Sequence, residues 1–192
     1  MNLLPERTNW LPFYWKNYNQ TTRYTYRLEN LDKDTLYENM KGSLRRQINK
    51  ADGAINVEEG NDLELFHKVN SYSFQRQNMK IPYSLDFLKR IDDAVKEQRK
   101  ILFAIDKSRN THAAIYVVWD KNSAYYLMGG LNPAFGQSGA KPLLFWEAIQ
   151  YVSKFVSVFD FEGSMIPSIE KFFSSFGAKQ TPYFRIFKDN RN

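Results

Sequence analysis

Ser123-Ala-Tyr-Tyr-Leu-Met-Gly-Gly130 leads into Phe135-Gly-Gln-Ser-Gly-Ala-Lys-Pro142, then Leu143-Leu-Phe-Trp-Glu-Ala-Ile149, then Val158-Phe-Asp-Phe-Glu-Gly-Ser164. The first run reads as a strand and the second as a glycine-bearing loop. The third opens an apolar helix reaching about Phe155, and the fourth is a second buried strand. A short helix then ends at Phe176-Gly177. Together they make one βαβ crossover, which is right-handed almost without exception and lays its two strands parallel. Ligands in such sheets bind beyond the carboxyl ends of the strands, near the N-terminus of the crossover helix. That edge carries Gly129, Gly130, Asn132, Gly139, Asp160, Glu162 and Ser164.

Upstream, Ile101–Asp106, Thr111–Trp119 and Ala124–Gly129 form a meander, joined by the polar turns Lys107-Ser-Arg-Asn110 and Asp120-Lys-Asn122. Before it, Thr21–Leu28 alternates as a strand with Tyr24 and Tyr26 on one face. Leu36, Met40, Leu44 and Ile48 recur every four residues, predicting one helix capped by Asp32 or Asp34 and stopped by Gly53. Ala54–Glu59 reads as a short strand. Helices follow from Asn61 to about Gln77 and from Pro82-Ser84 through the stripe Leu85, Leu88, Ile91, Val95. Thr181–Lys188 is the last strand. The fold class is α/β (α+β): a mixed sheet with an antiparallel meander and a βαβ crossover. Residues 1–20 form an aromatic extension with Trp10, Phe13, Tyr14, Trp15 and Tyr18, and residues 21–192 form a single domain. The crowded aromatics predict packing on the body or a partner surface, self-association included.

Hydrophobic residues make up 43% and aromatic residues 16%, so an aromatic-rich packed core is expected. The absence of cysteine excludes disulfides, thiolate zinc sites and a cysteine nucleophile, and fits a reducing, cytoplasmic setting. No run has the length of a signal peptide or membrane span. The net charge of +6 favours anionic partners.

Asp160 and Glu162 lie two apart on the last crossover strand, so both share a face while Phe159 and Phe161 take the other. Two acids together raise one another's pKa, which suits a general base near neutral pH. The alternative is that one of them pairs with an arginine such as Arg185, or accepts backbone N–H bonds at the next helix start. Gly136 and Gly139 allow a tight loop whose N–H groups meet phosphate, helped by Lys141; an ordinary connection is the alternative. Of Tyr125 and Tyr126 only one can line a cleft. Arg46 and Lys50 are four apart and make a basic ridge, or a solvated helix face. His67 and His112 lack ligand companions, and no metal is expected.

The order of elements resembles the acyl-CoA N-acyltransferase fold of the GNAT superfamily. Phe159-Asp-Phe-Glu-Gly-Ser164, Ile169 and Phe172-Phe-Ser-Ser-Phe-Gly177 are similar to the C-terminal signature of its Fem-type branch. So are the Tyr125-Tyr126 strand, the Leu143–Ile149 helix and the helix end Arg46-Gln-Ile-Asn-Lys-Ala51. The likeness covers about residues 20–190. It implies an N-acyltransferase moving an acetyl or aminoacyl group from a CoA thioester or aminoacyl-tRNA to an amine on a small molecule or peptide. Asp160 and Glu162 would then be catalytic. Gly129, Gly130, Asn132, Gly136, Gly139 and Lys141 would hold the donor, acetyl-CoA or another acyl donor, and Tyr126, Ser164, Arg46 and Lys50 the substrate. Gln137-Ser-Gly-Ala140 is one residue shorter than the branch's usual pyrophosphate loop, and Phe172, Phe173 and Phe176 occupy a helix that often carries a tyrosine acid. A non-catalytic binding module of the same fold, and an RNA-contacting protein, are the competing readings.

Overall fold

The computed structural model describes residues 1–163 and 165–188. Seven strands form one sheet in the order β2-β3-β4-β5-β6-β1-β7, with β1 Asn19–Glu29, β2 Ile55–Glu59, β3 Arg99–Asp106, β4 Thr111–Trp119, β5 Ser123–Leu131, β6 Val158–Asp160 and β7 Lys179–Phe187. Among the described residues only β5 and β6 pair in parallel. Every other neighbouring pair is antiparallel. The meander and the crossover expected from the sequence are both present.

Alternation along the central strands separates two cores. Leu102, Ala104, Ala113, Ile115 and Val117 face the helices α2 Lys33–Asn39, α3 Gly42–Asp52, α6 Ala140–Val152 and α7 Pro167–Ser174. Ile101, Phe103, Ile105, Ala114 and Tyr116 face α4 Leu63–Gln75 and α5 Leu85–Ala94. A strand buried on both sides reads as a near-continuous apolar run, and β4 does so from Ala113 to Trp119. Helix α6 is apolar around most of its circumference and buries nine of its residues. Its Phe145 is the hub of an aromatic cluster, with ring centroids 4.6 Å from Tyr126, 5.5 Å from Phe161 and 5.5 Å from Phe172.

Two expectations need correction. The single helix expected from Leu36 to Ile48 is two: α2 ends at Asn39, the next residue Met40 is extended at ψ 145°, and α3 restarts at Gly42. All four stripe residues are still buried, because the break keeps their faces toward the sheet. Lys41, at the break, gives its N–H to Ser175 O at 2.9 Å, a tertiary bond that a continuous helix would forgo. Helix α6 starts three residues earlier than expected and ends at Val152, not Phe155. The N-terminal segment is tied to the body by backbone hydrogen bonds: Ile186 N–H donates to Met1 O at 2.8 Å and Leu3 N–H to Phe184 O at 2.8 Å, beside β7. The helix α1 Leu11–Tyr14 follows, with Tyr14 and Trp15 exposed. Among the described residues no helix is long and apolar enough to cross a membrane.

Candidate active site

The parallel pairing of β5 with β6 is brief. Ser123, Ala124 and Tyr125 face Val158, Phe159 and Asp160, and β5 then runs on to Leu131 paired with β4 but not with β6. The two strands fork at Tyr125 and Asp160. Two residues beyond the fork β5 carries a bulge, since Tyr116 pairs with Met128 and Val117 with Tyr126, leaving Leu127 without a partner across the ladder.

On one side of the fork lies a cavity of about 630 Å³. Tyr125, Asp160, Glu162, Thr25 and Arg27 line it, and residues 2–7 cross over it. Asp160 is buried and heavily partnered. Its Oδ1 accepts from the Thr25 hydroxyl and, at 2.8 Å, from the backbone N–H of Glu162; its Oδ2 is 3.7 Å from Arg27 Nε. Burial raises its pKa, and those three partners oppose the rise. The sequence alternatives thus hold in part: the cation is Arg27 rather than Arg185, and the backbone N–H accepted is that of Glu162, before the next helix begins. Arg27 is shared with Glu6, 2.5 Å away.

Glu162 departs from the expected strand geometry. β6 ends at Asp160, and Glu162 adopts a left-handed backbone at φ 60°. Its carboxylate nevertheless opens on the same cavity, and Phe159 and Phe161 are buried on the other face. Glu162 sits at the exposed mouth with no hydrogen bond or ion pair to its carboxylate among the described residues. Desolvation by the surrounding protein, then the Asp160 charge, raises its pKa. Asp160 is therefore a fixed acid and Glu162 a free one. Ser164 lies outside the described residues.

Of the tyrosine pair, Tyr125 lines the cavity, and its hydroxyl donates to Asp120 Oδ2 at 3.0 Å. Tyr126 points to the opposite face, against Phe145, with burial pushing its pKa up. Gly129 and Gly130 permit close packing: a Cβ on Gly130 would lie 2.0 Å from Val69 O of α4. Ser73 of that helix donates to Gly129 O at 3.1 Å. Asn132 caps the following 3-10 turn, Pro133–Phe135, by accepting from Ala134 N–H at 3.1 Å.

Gly139 begins α6 at φ 74°, where a Cβ would meet Gln47 O of α3 at 2.5 Å. That contact sets α3, with exposed Arg46 and Lys50 on its adjoining strip, beside the glycine loop. Gly136 has only Pro133 O, at 3.5 Å, near a would-be Cβ. At the start of α6, Ala140 N–H is taken by Ser138 Oγ at 3.3 Å, and Pro142 has no N–H. The amides of Gly139 and Lys141 have no acceptor among the described residues, which suits one anionic group of a donor rather than a full pyrophosphate cradle. The Lys141 side chain turns away from this loop, into the aromatic cluster, with Nζ 5.4 Å from the Phe172 centroid.

His67 bonds Tyr83 O, and His112 pairs with Asp106 at 3.1 Å while stacking on Phe135 at 3.9 Å. Among the described residues no group of three His, Asp or Glu could hold a metal ion. Sequence reading missed Thr25, Arg27 and Glu6. Alternation placed Thr25 and Arg27 on one face of β1, but nothing local says that β1 lies beside β6.

A family model described as an acetyltransferase (GNAT) domain matches residues 38–165. No curated protein matches the chain in sequence. The fold is similar to that of FemX, with a TM-score of 0.76 at 12% identity over 90% of this chain and 63% of that one. It is also similar to L-PGS from Bacillus licheniformis, at 0.64 and 12% over 100% of this chain and 67% of the other. A third likeness, 0.62 at 13% over 94% and 64%, is to the C-terminal domain of a putative lysylphosphatidylglycerol synthetase from Agrobacterium fabrum. The chain thus spans roughly two thirds of the length of these structures.

Proposed function

The chain belongs to the GNAT acetyltransferase-domain family, and from that membership we propose that it is an N-acyltransferase whose acceptor amine enters the cavity at the β5–β6 fork. The observation that carries the reading is the fork itself. A bulged, unpaired stretch of β5 at Leu127 stands two residues from Tyr125, and a free carboxylate, Glu162, stands two residues from Asp160. Backbone N–H groups at such a bulge can polarise an acyl carbonyl, an oxyanion-type stabilisation. A carboxylate with a raised pKa can take the proton of the attacking amine.

The roles divide by partnering. Glu162 is the general base, because its pKa is raised and its carboxylate has no hydrogen-bond or ion-pair partner among the described residues. Asp160 holds the loop that presents Glu162, through the Glu162 N–H, and adds the negative charge that draws a cationic amine. Tyr125 and Arg27 shape the acceptor wall. The donor lies on the α6 side, with an anionic group on the free amides of Gly139 and Lys141 and with Arg46 and Lys50 close to the loop. The donor is a CoA thioester such as acetyl-CoA, or an aminoacyl-tRNA.

The test is to incubate the full chain with acetyl-CoA or with aminoacyl-tRNA over a panel of primary amines and read product mass. Transfer that depends on Glu162 supports the reading. Absence of transfer from both donors across the panel overturns it.

A further inference from the structure

On the side of the fork opposite the cavity, the N-terminal turn of α6 sends Lys141 into a ring of aromatics. Its Nζ lies 5.4 Å from the centroid of Phe172, 5.9 Å from that of Tyr126 and 6.0 Å from that of Phe145. Tyr126 in turn holds its hydroxyl 3.0 Å from where a Cβ on Gly129 would be, so this cluster abuts the strand beyond the bulge. Helix α7 contributes Phe172 and Phe173 here and the turn after it Phe176, none of which can give a proton. A lysine so placed, without a carboxylate partner among the described residues, is neither a surface solubiliser nor half of an ion pair. Fully solvated lysines do not collect three rings by chance, and an amine in such a setting shifts its protonation readily.

We propose that Lys141 is the proton donor to the leaving group in the acyl transfer, a role resting on the function proposed above. The acceptor nitrogen bonds to the acyl carbon, and the carbon–sulfur bond of a thioester, or the carbon–oxygen bond of an ester, breaks. The departing sulfur or oxygen takes a proton from the Lys141 ammonium, which is left as a neutral amine. Glu162 receives the proton shed by the acceptor nitrogen and passes it to water, and solvent recharges Lys141.

The protonation equilibrium fits. Burial, then the repelling Arg76 charge at the end of α4, brings the Lys141 amine down to about 8. The other groups facing it are the Tyr126 hydroxyl of β5, uncharged because burial pushes its pKa up, and the uncharged rings of α6 and α7. A donor near 8 is closely matched to a thiol leaving group, whose ordinary pKa is about 8.5.

The experiment compares two donors of one acyl group on the full chain: the thioester or ester that supports turnover, and the 4-nitrophenyl ester, whose leaving group needs no proton. Lys141→Met should lower kcat with the first donor about 100-fold or more, the usual worth of general acid catalysis, and leave the nitrophenyl ester within about threefold. The fall of wild-type kcat above about pH 8 should vanish in the variant. Lys141→Arg keeps the charge but cannot release the proton, so it should fail like Met. Equal losses with both donors, full activity in the Arg variant, or a change confined to donor KM each overturn the proton role while leaving the acyltransferase reading intact. A wild-type chain that transfers from neither donor overturns both.

Discussion

The backbone N–H of Glu162 donates to Asp160 Oδ1 at 2.8 Å, so the two acids of the fork are not interchangeable. One carboxylate builds the turn from which the other projects. Glu162 takes its left-handed φ of 60° in that turn, an arrangement a short Asx-type bond readily supports.

Glu162→Gln should therefore lower kcat by about 100-fold, with acceptor KM little changed, since it removes a base without disturbing the turn. Steady-state kinetics beside a far-ultraviolet dichroism spectrum checks this. The sign of the pH effect follows from the base being active only when ionised. Because the Glu162 pKa is raised above its ordinary 4.5, activity should rise with pH through a midpoint above that value, and the rise should be lost in the Gln variant.

Asp160→Ala should act on stability as well as rate. It strands the Thr25 hydroxyl and the Glu162 N–H, and an unsatisfied buried group costs about 1–3 kcal/mol. Asp160→Asn keeps an acceptor for both and should cost less. The folded-state pKa of Asp160 is raised, so its ionisation opposes folding as pH climbs from 3.8 through the raised value. Urea denaturation of the two variants across that window separates the terms: the wild-type chain should lose stability there relative to Asp160→Asn.

Glu6→Ala tests the shared guanidinium. Glu6 both occupies Arg27 and raises the Asp160 pKa by its charge. Without it, Arg27 acts on Asp160 alone and the Asp160 pKa should fall. Carboxylate titration by NMR reads the shift, and a rise would contradict the assignment. Arg27→Met should move it the other way.

Gly130→Ala should be among the most damaging small substitutions. The added methyl would sit 2.0 Å from the Val69 carbonyl oxygen, which belongs to the backbone of α4 and cannot rotate aside. Overpacking of this kind costs on the order of 3 kcal/mol, read as a lower urea midpoint. Gly136→Ala, with 3.5 Å to its nearest neighbour, should be nearly neutral by the same measure.

The order of strands and helices was legible because apolar periodicity survives without knowledge of neighbours: the Leu36, Met40, Leu44, Ile48 stripe is buried as read. The break inside it was not legible, since it is set by a bond from Lys41 to Ser175, far along the chain. Asp160 and Glu162 stood out as acids among phenylalanines, and both reach the cavity. Their inequality depends on Thr25 and Arg27, brought over by the pairing of Arg27 with Asp160 across β1 and β6. Lys141 read as a loop cation because spacing gives a position along a helix but not the direction of a long side chain.

The pairing of Met1 and Leu3 with β7 has a bearing on how the protein behaves in concentrated solution. β7 ends the sheet, and an outer strand with unmet backbone groups is a template for joining copies edge to edge. Here residues 1–3 occupy the stretch from Phe184 to Ile186, and Pro182 interrupts donors further along. At the far margin, β2 has only five residues and carries Glu58 and Glu59. Removing the first three residues would thus do more than trim a tail: it would bare a sticky seam, and aggregation would be the first symptom.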